Sequence, residues 1–169
     1  MSPEKRVAVI GVGNILMGDE GLGVHALPPL REALGELSGE VELVDAGTAL
    51  LDIIDDYTAC DVLIVMDVVR TGGEPGAIYR FETEDLTRSR GSGTPTSLHE
   101  LSVLEVLDME RLTGRHVPRV IVVGMEPERI TTSLEMSRTV ADRLPLLVET
   151  VVEEIKSLLK ADPETENKG

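Results

Sequence analysis

Four short apolar runs punctuate the chain: Val7–Val12, Val41–Val44, Val62–Val69 and Val120–Val123. Each is rich in Val, Ile or Leu and unbroken rather than alternating. That pattern predicts strands buried on both faces, as in a parallel sheet. Ala77–Phe81 is a fifth, weaker strand candidate. Helical spacing falls between the runs. Leu27, Leu30, Leu34 and Leu37 recur at intervals of three and four, and Pro28 and Pro29 predict a kink or a restart there. Leu50–Tyr57 is a short second helix, and Leu98, Leu101, Leu104, Val106 and Leu107 suggest a third. Val148, Val151, Val152, Ile155, Leu158 and Leu159 draw the clearest amphipathic face, with Pro145 marking a kink or restart before it. Strand and helix alternate. The expected fold is therefore a single α/β domain over residues 1–160, with a mostly parallel, twisted sheet of about five strands. Helices should flank both faces, and a polar, frayed tail should follow over 161–169.

Composition narrows the partners. The 169 residues hold 16 basic and 31 acidic side chains, a net charge of −15 that repels nucleic acid and anionic lipid. Aromatics are limited to Tyr57, Tyr79 and Phe81, so base- or sugar-stacking platforms are not expected. No apolar run approaches the ~20 residues that span a bilayer. Glu4, Lys5 and Arg6 precede the first run, which ends in glycines and acids, so no signal peptide is expected. A lone cysteine, Cys60, suits a cytoplasmic location and reads as an inert buried thiol.

In parallel α/β sheets, working residues gather at the carboxyl ends of strands. The first strand runs into Gly11–Gly23, with five glycines in thirteen residues. A dinucleotide loop is one reading. Leu16 occupies its third glycine position, and Asp19 and Glu20 put anions where a pyrophosphate needs none. Glu20 is either a site carboxylate or a plain complement to a helix dipole. Asp45 ends the second run; it either turns the chain or bonds a ribose. Asp67 sits inside the third run, where burial is costly unless the carboxylate is paired or ligating. Its plainer reading is a loop-starting Asp bonded to backbone N–H. Ser97 and Glu100 fit a capping box that puts His99 in a first helical turn, where the ring stays neutral as a ligand must. A lone His at a helix start is otherwise structural. The Glu82–Pro95 stretch before it reads as a loop suited to substrate contacts. Two carboxylates and one imidazole suit zinc, nickel or iron-type ions. No Gly-x-Ser-x-Gly elbow, Walker loop or His-Glu-x-x-His helix is present. His25 and His116 carry little signal.

These blocks resemble the hydrogenase maturation endopeptidases, the accessory proteases of nickel–iron hydrogenases. Gly11–Gly23 looks like the family's opening loop, Val44–Thr48 its second block and Met66–Val69 its third. Thr96–Glu100 is similar to the histidine block and Gly124–Pro127 to the closing one. Val68 departs from the alanine that often follows the aspartate. The resemblance covers roughly Arg6 to Leu159 and implies an α/β fold and an endopeptidase. Its substrate would be the large-subunit precursor, cut at a C-terminal extension after nickel insertion. It also implies that Glu20, Asp67 and His99 contact the metal. The implied cofactor is nickel, that of the precursor, with no nucleotide, no nucleic acid and no membrane. Three mechanisms are open: the triad reaches nickel held by the substrate, the protease holds its own metal, or the carboxylates activate water directly. Two rivals from other classes stand beside them, a small nucleotide-binding module and a non-catalytic maturation chaperone.

Overall fold

The computed structural model describes residues 5–82, 105 and 107–160. Five strands form one sheet: β1 (Val7–Val12), β2 (Val41–Gly47), β3 (Val62–Val68), β4 (Ile78–Glu82) and β5 (Arg119–Met125). Their order is β2-β1-β3-β5-β4. β1, β2, β3 and β5 run parallel, and β4 pairs antiparallel with β5 at the edge. The central strands β1 and β3 are buried at every position, as an unbroken apolar run requires. β2 runs three residues beyond Val44, carrying Asp45 into the sheet. Register extends it: Gly11 pairs with Asp45 and Val12 with Gly47.

Alternation along β1 and β3 sends side chains into two aliphatic layers. Val7, Val9, Ile64 and Met66 meet α1 (Leu22–His25), α2 (Leu27–Leu34) and the long C-terminal helix α5 (Arg138–Lys160). Ala8, Ile10, Leu63 and Val65 meet Leu50 of α3 (Leu50–Ile53), the 3-10 turn Ile54–Tyr57 after it, and Leu107 of α4 (107–112). Helices thus cover both faces.

The prolines behave differently from one another. Pro28 and Pro29 open α2 after α1 has ended, a restart at positions whose N–H would be unsatisfied anyway. Pro145 lies inside α5 and does not divide it, so the helix does not restart there. It is exposed, so water can satisfy the carbonyl it leaves without a donor, while Leu147, Val148 and Val151 stay buried. No helix among the described residues is long and apolar enough to cross a membrane. Residues 161–169, expected to form a frayed tail, and Leu98–Leu104, expected to start a helix, lie outside the described residues.

An ion-pair chain fastens the antiparallel edge. Arg80 binds Glu154 of α5 through two 2.8 Å bonds and touches Glu82 at 3.2 Å, and Glu82 is held by Arg119. Hydrogen bonds from the arginines hold both carboxyl groups below the usual carboxylate range. Lowered folded values mean stabilisation that is complete above the ordinary carboxylate pKa and is lost as pH falls through the folded values. Arg80 is about a third exposed, so solvent screens the effect to about 1 kcal/mol. Denaturant titrations carried from neutral pH to below the ordinary carboxylate range should lose that amount, and Glu154→Gln should flatten the slope. An unchanged slope would count against this network.

Candidate active site

The connections place the site. β1 is followed by helices on one face and lies next to β2 on one side. β2 is followed by α3 on the opposite face, and the chain then crosses to β3 on the other side of β1. The winding reverses between β1 and β3. In open α/β sheets, that reversal leaves a crevice at the strands' carboxyl ends.

Glycines bring the next segment into this crevice. The turn Gly18–Gly21 and α1 lie directly on the ends of β1 and β3. Gly13 has φ +140°, and a Cβ there would collide with the Glu20 carbonyl oxygen. A Cβ on Gly23 would strike the carbonyl oxygens of both Met66 and Val12. Only backbones without side chains approach so closely. Glu20 is thereby fixed beside the end of β1, and Gly23 beside the residue that precedes Asp67.

Asp67 is fully buried on β3. Its Oδ1 accepts the Val68 N–H at 2.8 Å. By alternation it shares a face with Leu63 and Val65, the layer that also holds Leu107. Glu20 is half-buried at the rim of the same crevice. His99 and its block, Thr96–Glu100, lie outside the described residues, as does the Glu82–Pro95 loop beyond Glu82. Among the described residues, no three His, Cys, Asp or Glu side chains form a metal-holding cluster. The two described candidate carboxylates thus lie near adjoining strand ends, Asp67 buried and Glu20 half-buried.

Two other buried carboxylates tie the surrounding loops together. Asp19 is fully buried and receives four hydrogen bonds. They come from the backbone N–H of Glu128 (2.9 Å), Arg129 (2.9 Å) and Ser137 (2.6 Å), and from the Ser137 hydroxyl (2.9 Å). It fastens the Gly18–Gly21 turn to the connection between β5 and α5. Glu126, at the end of β5, accepts from the Thr71 N–H and hydroxyl at 2.8 and 2.9 Å, and from Gly72 N–H at 3.3 Å. It holds the loop that follows β3. Sequence reasoning noted Asp19 only as an anion unfriendly to phosphate and Glu126 only as part of a block. Their signal was an acid beside a glycine-rich turn, which does not reveal distant N–H partners.

Asp45, His116, Cys60 and His25 lie in the following local surroundings. Asp45 is exposed, and its Oδ1 accepts the Gly47 N–H at 2.9 Å, the chain-turning role. His116 Nε2 lies 3.1 Å from the Cys60 carbonyl oxygen. Cys60 is buried at the amino end of the sheet, beside an open cavity of about 790 Å³, and burial pushes its thiol pKa up. A thiol so raised is a poor nucleophile at neutral pH. His25 packs its ring against Gly21, with a buried Nε2 that has no hydrogen-bond partner.

Comparison with known proteins points one way. The HycI family, described as hydrogenase maturation protease, matches residues 27–154. The hydrogenase 2 maturation protease of Escherichia coli K12 is 30% identical over 156 residues, spanning 92% of this chain and 91% of that protein. The hydrogenase expression/formation protein HupD of Thiocapsa roseopersicina is 32% identical over 152 residues, covering 81% of this chain and 68% of its own length. The solved structure of the E. coli hydrogenase maturating endopeptidase HybD superposes with a TM-score of 0.75 at 29% identity, over 90% of this chain and 93% of that one.

Proposed function

Because the chain belongs to the hydrogenase maturation protease family, we propose that it removes the C-terminal extension of a nickel–iron hydrogenase large-subunit precursor once nickel is in place. It is a peptidase by that membership. Glu20, Asp67 and His99 contact the nickel carried by the substrate, and no nucleotide takes part. The observation that carries this reading is the sealed Asp67 carboxylate at the end of β3, beside the crevice where Gly13 holds Glu20. That carboxylate sits at the carboxyl end of a central strand, where open α/β sheets gather their working residues. The anionic turn Asp19–Glu20 disfavours a pyrophosphate in the same crevice, which speaks against the nucleotide module.

Hydrolysis adds water across the scissile amide. The C–N bond breaks, and the leaving amine takes up a proton. Substrate nickel supplies Lewis acidity, polarising the carbonyl or the attacking water. Glu20, half-buried at the rim, is the described carboxylate with solvent access for holding and passing that proton. The protease unit spans residues 1–160 in this reading, and its place is the cytoplasm, which a single buried cysteine suits.

Intact-mass spectrometry tests the reading directly. Purified protein is mixed with nickel-loaded and nickel-free precursor. Loss of one C-terminal peptide from the loaded form alone is the expected result. Binding without shortening, from every cognate candidate, would instead make the chain a chaperone.

A further inference from the structure

Two charge-free loops stand side by side on this strongly acidic protein. Residues 12–18 and 130–134 carry no Asp, Glu, Lys or Arg, on a chain of net charge −15. Backbone bonds pair them: Gly18 N–H donates to the Ser133 carbonyl at 2.8 Å, and Ser133 N–H donates to the Leu16 carbonyl at 3.0 Å. Gly18, with φ +64°, packs against the second loop near the carbonyl oxygens of Thr131 and Glu135. The pair presents Ile15, Leu16 and Leu134 at 43%, 56% and 70% exposure. Three large aliphatic side chains thus stand exposed on two backbone-paired loops rather than folded onto the core.

Position and charge say what covers it. The first loop leads directly into Asp19 and Glu20, and Gly21 packs against the backbone of Ile15, so the patch is continuous with the crevice rim. The Asp19 bonds to Glu128, Arg129 and Ser137 bracket the second loop on both sides. Charge depletion with aliphatic exposure is the composition of an interface core rather than a rim. A peptidase that acts on a folded protein must seat that protein against the ground beside its cutting site.

We propose that Ile15, Leu16 and Leu134 form the docking surface for the body of the protein substrate, gripping an uncharged apolar patch beside its scissile segment. The inference rests on the function proposed above. It assigns recognition to the rim of the β1 crevice, separate from the metal-contacting residues.

The test is the double variant Leu16→Ser/Leu134→Ser, with Leu146→Ser on the exposed face of α5 as control. Cleavage of nickel-loaded precursor is followed by intact mass over a range of substrate concentrations, together with thermal unfolding and gel filtration. The double variant should raise KM at least tenfold with kcat within twofold and an unchanged melting temperature, while the control behaves as wild type. If wild type cleaves and the double variant keeps its KM, the docking surface is overturned and the protease reading stands. If wild type neither binds nor cuts the precursor, both fall. If wild type runs as a dimer that the double variant dissociates, the patch belongs to a second copy of this chain and the proposal is wrong.

Discussion

Asp67→Asn is expected to reduce cleavage of nickel-loaded precursor by at least a thousandfold while leaving the fold intact. A thousandfold loss corresponds to about 4 kcal/mol of transition-state stabilisation. The amide is nearly the same shape as the carboxylate. Its oxygen can still accept the Val68 N–H that Asp67 Oδ1 accepts at 2.8 Å. The site is fully buried, and a neutral amide is cheaper to bury than a charge. The fold should be retained, read as a cooperative melting transition. What the amide lacks is the negative charge that would meet a cation. Single-turnover cleavage read by mass spectrometry, alongside circular dichroism, separates the two effects. Normal cleavage by Asp67→Asn would sink the metal-contact role of this residue. Lost cleavage with a collapsed melting temperature would reassign Asp67 to the fold.

The burial of Asp67 was legible in the sequence because its neighbours betray it. An acid between Met66 and Val68, in a run that otherwise has no polar atom, must answer for its burial. The strands were legible for the same reason: β1 matches its apolar run from Val7 to Val12 at both ends. β2 was harder. Its last residues, Asp45, Ala46 and Gly47, look like a turn in sequence, and only pairing with Gly11 and Val12 draws them into the sheet. The glycines around Glu20 signalled a close backbone approach, and its cause is more specific than flexibility. Gly13 and Gly23 are the points where two backbones touch. Pro145 does not restart α5, because the packed face of Leu147, Val148 and Val151 carries the helix through it. Asp19 and Glu126 were missed because most of their partners are backbone N–H groups, which nearly every residue carries and no composition reveals. Glu128, Arg129 and Ser137 stand more than a hundred positions from Asp19.

That missed latch carries the largest expected effect on stability. Asp19→Asn should destabilise the protein by about 3–4 kcal/mol, because the site offers only donors. Oδ2 receives the Glu128 and Arg129 N–H groups and the Ser137 hydroxyl, and Oδ1 receives the Ser137 N–H at 2.6 Å. An asparagine can turn its oxygen to one set but must then aim its NH2 at the other, donor against donor. Asp19→Ala leaves all four without a partner in a site that excludes water. For a chain of this size, each kcal/mol moves the melting temperature by about 2–4 °C, so a fall near 10 °C is expected. Ser137→Ala removes one donor and spares the carboxylate, and should cost about 1 kcal/mol. The ordering, with Asp19→Asn well below Ser137→Ala, is what denaturant titration should return. Equal losses would mean that the hydroxyl, rather than the charge, closes the latch. Cleavage should suffer as well, since the Gly18–Gly21 turn that Asp19 fastens is the one that carries Glu20. A loss of cleavage in Asp19→Asn at temperatures where the protein is still folded would tie the latch to the position of that carboxylate.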